Sequence, residues 1–164
     1  MKKQVLSVLV QNHAGVLARV ASLFCQRGFN IDSLTVSATN LPDISRITIV
    51  TQGDEQMFSQ IVKQTGKLIE TKEIFPLDVS SSLLRELLLV KVYADETNRS
   101  AIHEIANIYK AKIIDLSVGS MVMELTGEPD KIDGFLQVLS QYNILEMCRT
   151  GVTAMERGNV RRSE

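Results

Sequence analysis

The sequence predicts an α+β protein made of two βαββαβ modules, each an antiparallel sheet covered by two helices. Three observations carry this. In the first half, apolar residues switch between alternating and three-and-four spacing in the order strand, helix, strand, strand, helix, strand. The same order returns in the second half. Between the halves stands Val79-Ser80-Ser81-Ser82, which reads as a linker. The implied boundaries are 1–78 for the first module, 79–82 for the linker, and 83–164 for the second module with a polar tail.

Val5 to Val10 is rich in Val and Leu and reads as a strand buried on both faces. Val16, Leu17, Val20, Leu23, Phe24 and Arg27 recur at helical spacing, and Gly28 stands where a left-handed C-terminal cap is wanted. Ile31 to Thr39 alternates, with Leu34, Val36 and Ala38 on one face, and Ile44 to Thr51 alternates with Ile47 and Ile49 on one face. Asn40-Leu41-Pro42-Asp43 supplies the turn between them. Asp54 is placed to cap a second helix carrying Met57, Phe58, Ile61 and Val62, with Gly66 near its end. Ile69 to Leu77 closes the module as a strand, which Pro76 confines to an edge or to a strand end.

In the second half, Leu87 to Ala94 reads as a strand, and Ile102, Ile105, Ala106 and Tyr109 share one helical face. Ile113 to Val118 and Met121 to Thr126 form two strands around Gly119. Pro129 fits the first turn of a helix with Ile132, Phe135, Leu136 and Leu139 inward, and Ile144 to Val152 is expected as the closing strand. Each module is near the size at which one core gives only marginal stability, so a homodimer is expected.

Composition narrows the function. The chain has 164 residues, 45% of them hydrophobic, and a net charge of −1. No apolar run is long enough to span a membrane, and Met1-Lys2-Lys3 leads directly into strand-like alternation, so a cytoplasmic location is expected. The only basic cluster is Arg157, Arg161 and Arg162 in the tail, and Trp is absent, so the electrostatic footprint of a nucleic-acid binder is missing. Cys25 and Cys148 are far apart in apolar stretches and are expected to be buried reduced thiols. His13 and His103 are the only imidazoles, and neither has a base or nucleophile at helical or strand spacing, which argues against a catalytic triad. Asp54-Glu55 reads as a helix cap. No GxGxxG or GKS/T loop is present.

One segment remains. Asn12-His13-Ala14-Gly15, followed by Val16-Leu17, joins a strand end to a helix start, where unpaired N–H groups and the positive end of the helix dipole meet. Such a turn can hold a small anion such as a carboxylate. Gly15 permits close approach and Asn12 adds a side-chain amide. Asn30 and Ile31 follow at the opposite end of that helix, so within one module they are not neighbours of Gly15, though a dimer could bring them to it. A tight βα turn with an Asn cap accounts for the pattern equally well.

At these residues the sequence resembles an ACT domain, whose signature is a Gly-Val-Leu-like turn after the first strand. "SVLVQNHAGVLARVASLFCQRGFNIDSLTV", "SRITIVTQGDE", "RELLLVKV", "IIDLSVGSMVMELTG" and "RTGVTAMERG" together resemble the family of small regulatory subunits of acetolactate synthase (acetohydroxyacid synthase) over nearly the whole chain. The resemblance implies two ferredoxin-like modules, no active site and no cofactor in this chain. It also implies a large catalytic partner carrying thiamine diphosphate, with Mg and FAD expected there, activation of that partner, and feedback inhibition by valine or another branched-chain amino acid. The effector residues it implies are Asn12, Gly15, Val16 and Leu17, with Asn30 and Ile31 from the partner chain of a homodimer formed through the first module. His13-Ala14 departs from the usual small or acidic residues in this turn. The second module lacks the Asn-x-x-Gly turn, having Ala94-Asp95-Glu96-Thr97 in its place, and is expected to serve the catalytic partner. Arg149 and Arg157, with Gly151 and Gly158, flank the final strand and are a candidate docking segment, beside the plainer reading of a solvated tail. A free-standing amino-acid sensor and a small hydrolase are the rival readings; near-zero charge weighs against the first and the missing acid, base and nucleophile against the second.

Overall fold

A computed structural model describes residues 2–159 of the chain. The expected order holds: β1 (Lys2–Gln11), α1 (Val16–Gln26), β2 (Ile31–Ala38), β3 (Ile44–Gly53), α2 (Glu55–Thr65), β4 (Thr71–Leu77), β5 (Ser82–Tyr93), α3 (Arg99–Tyr109), β6 (Lys112–Leu116), β7 (Ser120–Gly127), α4 (Pro129–Leu139), β8 (Ile144–Arg149) and β9 (Thr153–Glu156). The chain divides into two compact units. The first runs to Leu83 and takes the chain back from Val152; the second is Leu84–Gly151.

The first unit is an antiparallel sheet in the order β2-β3-β1-β4. Its centre is the ten-residue pairing of β1 with β3, which sets Leu6 opposite Ile49 and Val8 opposite Ile47. These four side chains are fully buried and pack with Val20 and Phe24 of α1 and Ile61 of α2. Both helix ends form as their residues dictate. Gly28, at φ +71, accepts the left-handed turn after α1, and Phe29 N donates to Phe24 O at 3.0 Å. Asp54 accepts from Met57 N at 2.7 Å to cap α2. Pro76 lies in β4, an edge strand, where its missing N–H breaks no ladder on the open side. Ile69, expected at the start of β4, is instead 89% exposed at the tip of a turn closed by Thr71 N donating to Leu68 O at 3.0 Å.

The other face of this sheet is also buried at Val5, Ser7, Thr48 and Val50. The returning chain crosses it. Val152 N donates to Ser33 Oγ at 2.7 Å, Thr35 Oγ1 donates to Val152 O at 2.7 Å, and Arg46 Nη2 donates to Ala154 O at 2.8 Å. Val152 and Ala154 are both buried. The closing strand expected from Ile144 to Val152 therefore ends at Arg149, and a further strand, β9, follows at Thr153–Glu156. Gly151, at φ +84, ends the alternation after Arg149 and turns the chain back toward the first unit.

The second unit has the sheet order β6-β7-β5-β8. Leu88, Val90 and Val92 of β5 and Met121, Met123 and Leu125 of β7 form its core with Ile102, Ala106, Ile132, Phe135 and Leu139 from the two helices. Tyr109 packs on Phe135 with ring centroids 5.1 Å apart. Arg149 is not a free docking group. It pairs with the carboxylate of Glu86, whose side chain is 5% exposed, and donates to Asp133 Oδ1 at 2.7 Å, tying β8 to β5 and α4. Burial works against the guanidinium's charge, but the hydrogen bonds and charges of Glu86 and Asp133 outweigh it and hold the Arg149 pKa above its ordinary value.

Two further expectations change. Cys25 and Cys148 are exposed free thiols. Cys25 follows the core residue Phe24 by one position, which turns it about 100° away from the core, and Cys148 lies on an edge strand with five of its six residues exposed. Of the tail arginines, Arg157 is exposed, while Arg161 and Arg162 lie outside the described residues. Among the described residues no helix is long and apolar enough to cross a membrane.

Val152→Ser is expected to destabilise the first unit by about 2 kcal/mol through lost apolar burial. The check is hydrogen exchange: amides of β2 and β3 should exchange faster while those of β5 and β7 keep their protection. Arg149→Ala leaves the Glu86 carboxylate buried without a counter-charge and is expected to cost about 2–3 kcal/mol; a double variant Glu86→Leu/Arg149→Leu should recover part of the lost melting temperature.

Candidate functional site

The turn from β1 into α1 is held from both sides by backbone hydrogen bonds. Gln11 N donates to Glu70 O at 2.9 Å and Asn12 N to Asp43 O at 2.7 Å, so the last residues of β1 cannot shift relative to β3 or β4. Glu70 is buried, and its carboxylate pairs with Arg19, one turn into α1. The His13 ring nitrogens lie 3.2 Å from Ala14 O and from Gln11 Oε1, which keeps the imidazole folded over its own turn.

Gly15 is the N-cap of α1 at φ +89 and ψ −15. Only glycine adopts this conformation without strain, and a Cβ built there meets no atom within 4 Å. The space in front of the helix is open. No side chain caps α1 and no acid stands in its first turn. The other helices begin differently. The α2 helix has the Asp54 cap and Glu55, and α4 has Asp130 in its first turn. Before α3, the carboxylate of Asp95 accepts from Thr97 N at 2.8 Å, Thr97 Oγ1 at 2.6 Å and Asn98 N at 3.3 Å. The side-chain and backbone hydrogen bonds from Thr97 hold the Asp95 carboxyl below the usual aspartate range. In the second unit, then, a carboxylate of the chain itself occupies the amides before the helix. In the first unit the corresponding amides around Gly15 have none.

The structure brings Asn12, Gly15, Val16 and Leu17 together at this turn. Asn12 is exposed, Leu17 is 41% exposed, and Val16 turns its side chain into the core, so it offers the turn its backbone only. Asn30 and Ile31 are not there. They lie past the far end of α1, whose eleven residues span about 16 Å. Asn30 is exposed and Ile31 half-buried at the start of β2, an edge strand. Glu70, Asp43 and the capping role of Asp95 were not legible in the sequence: each depends on which strands and turns become neighbours. A cavity of about 430 Å³, bordered by Lys3, Gln4, Asp54, Phe58 and Pro76, lies at the opposite end of the sheet from Gly15. Among the described residues no group of three or more His, Cys, Asp or Glu is placed to hold a metal ion.

Comparison with known proteins gives the family and the fold. Residues 6–73 match the family described as the AHAS small subunit-like ACT domain, and residues 85–158 match the family described as the small subunit of acetolactate synthase. The chain belongs to the acetolactate synthase small-subunit family. It is 47% identical to the acetolactate synthase small subunit of Mycolicibacterium smegmatis, over 93% of this chain and 90% of that one. It is 45% identical to the acetolactate synthase small subunit of Mycobacterium bovis, over 96% and 94%. The crystal structure of the acetolactate synthase small subunit from Thermotoga maritima superposes with a TM-score of 0.89 at 39% identity, covering 98% of this chain and all of that one. The two ferredoxin-like modules expected from the resemblance are therefore the observed fold, and the protein is a regulatory subunit of the synthase complex, not its catalyst.

The Asp95 carboxyl is expected to titrate below the ordinary aspartate range in a carbon-detected NMR titration. Because its folded pKa is lowered, the turn is supported at neutral pH, and that support is lost as pH falls through the lowered value. Titration in the ordinary range would show that the Thr97 and Asn98 hydrogen bonds do not hold in solution.

Proposed function

We propose that this subunit activates the large thiamine-diphosphate-dependent catalytic subunit of acetolactate synthase in the cytoplasm and makes it sensitive to feedback inhibition by valine or another branched-chain amino acid. The observation that carries the reading is the amino end of α1. It has no side-chain cap, no acid in its first turn and no carboxylate on the turn before it, and it stands behind a glycine that leaves the space open. A free amino acid supplies a carboxylate for these amides, an ammonium for carbonyl or amide oxygens, and a branched apolar group for Leu17 and Ile31.

The site takes two chains. β2 is an edge strand with an unpaired side, and it runs from Ile31, level with Thr51, to Ala38, opposite Ser45 at the end of the sheet where Asn12 and Gly15 stand. Antiparallel pairing of two β2 edges about a twofold axis sets the partner's Asn30 and Ile31 beside this end. Asn12, Gly15, Val16 and Leu17 of one protomer and Asn30 and Ile31 of its partner then face one effector, and binding there favours one arrangement of the pair. A coupling of about 1–3 kcal/mol gives a several-fold to hundredfold change in the behaviour of the catalytic subunit. The second unit, whose corresponding turn is filled by Asp95, serves that partner in this reading. The effector-binding module is then residues 1–83 together with 152–159, because Val152 and Ala154 are part of its fold.

Gly15→Asp tests the reading. The new carboxylate stands where the effector's carboxylate is placed, and a Cβ at φ +89 adds strain of about 1–2 kcal/mol. The helix dipole favours an acid there, so the fold is expected to survive. In the reconstituted synthase, valine inhibition should be lost while activation is kept, with the melting temperature of the subunit measured beside it. A well-folded variant whose complex is still inhibited at the wild-type valine concentration would reduce the turn to a structural role.

A further inference from the structure

Asn30 is exposed, yet it is held at two points. Thr51, fully buried, donates its hydroxyl to Asn30 O at 2.7 Å. The side-chain amide of Asn30 donates through Nδ2 to Asp32 Oδ1 at 3.1 Å. Asp32 is itself held, since Gln52 Nε2 donates to its other oxygen, Oδ2, at 2.9 Å. None of the three polar side chains is buried, so the network adds little to packing. What it does is orient. A carboxylate only accepts, so Nδ2 of Asn30 must be the atom that faces Asp32, and Oδ1 of the amide is turned to the opposite side.

The backbone is arranged for the same purpose. The β2–β3 ladder pairs Ile31 with Thr51 and then Ser33 with Val50, so Asp32 is the extra residue of a β-bulge. Bulges re-aim a side chain that regular pleating would send elsewhere. Here the bulge carries Asp32 next to both Asn30 and Gln52, two residues that lie 22 positions apart in the chain.

We propose that Asp32, set out of the ladder by this bulge and held by Gln52, is a positioning residue that fixes the Asn30 amide with its oxygen free to accept, so that the effector site selects a free α-ammonium over the 2-oxo acid with the same side chain. The inference rests on the effector reading given above and adds to it the group that sets its chemical selectivity. A fixed acceptor next to a carboxylate favours an ammonium donor and disfavours a carbonyl oxygen, which would meet it lone pair to lone pair.

Calorimetric titration of the full-length dimer with valine and with 3-methyl-2-oxobutanoate tests this. The wild-type protein is expected to bind valine at least about tenfold more tightly than the oxo acid, as for a hydrogen bond to a charged group. Asp32→Asn keeps the shape but lets the facing amide either donate or accept, so Asn30 can turn over. Valine affinity should then fall about tenfold or more while oxo-acid affinity stays within about twofold. Gln52→Leu, which leaves Asp32 in place but frees it, should shift the ratio the same way by a smaller factor. Equal losses for both ligands would mean a merely structural role and would overturn the proposal, as would an unchanged ratio in a folded Asp32→Asn protein. A wild-type dimer that binds no branched-chain amino acid would instead overturn the effector reading itself.

Discussion

A four-stranded sheet with both helices on one side has a second side that something else must cover. In the first unit that requirement organises the chain. Leu6, Val8, Ile47 and Ile49 face the helices, while Val5, Ser7, Thr48 and Val50 face away and are buried all the same. Residues 152–156 return to lie on that far side, held by hydrogen bonds from side chains of β2 and β3. The strand that begins at Ile31, just after Asn30, is thus gripped from its sheet partner on one side and from the end of the chain across its face. An effector site that relies on an edge strand keeps its precision only if that strand is fixed by more than one neighbour.

The two units differ in where carboxylates stand at the turn from the first strand into the first helix. Both begin with a strand that passes through a short turn into a helix. In the second, Asp95 folds back on the amides of Thr97 and Asn98 and satisfies them. In the first, Gly15 stands in their place with no side chain at all. A carboxylate of the chain closes the turn before α3 in one module, and none stands at the turn before α1 in the other.

Much of this was legible in the sequence, because alternation and helical periodicity report which side chains face a core, and Gly28, Asp54 and Pro76 report local backbone chemistry that tertiary packing did not override. The turn at Asn12 to Leu17 was legible for the same reason: its residues are contiguous. The return of Val152–Glu156 to the first unit was not. Gly151 breaks the run after Arg149, and the residue types beyond it do not say which elements they pack against. The Asn30–Asp32–Gln52 network was hidden likewise, since it depends on a one-residue shift of register between β2 and β3. The cysteines misled because an apolar stretch shows a helix or strand without showing which of its positions meets solvent.

Because the first unit is closed by residues that follow the second, synthesis on the ribosome cannot complete it in order. When Leu83 emerges, four strands and two helices are present, but Val152 and Ala154 do not yet exist. At about 5–20 residues per second, the far face of that sheet waits several seconds for its cover. The uninterrupted Leu84–Gly151 unit can finish first, although it is made second. The nascent chain therefore passes through a stage in which an apolar sheet face and the free edge of β2 are both uncovered. At that stage the uncovered face is most open to association with another nascent chain.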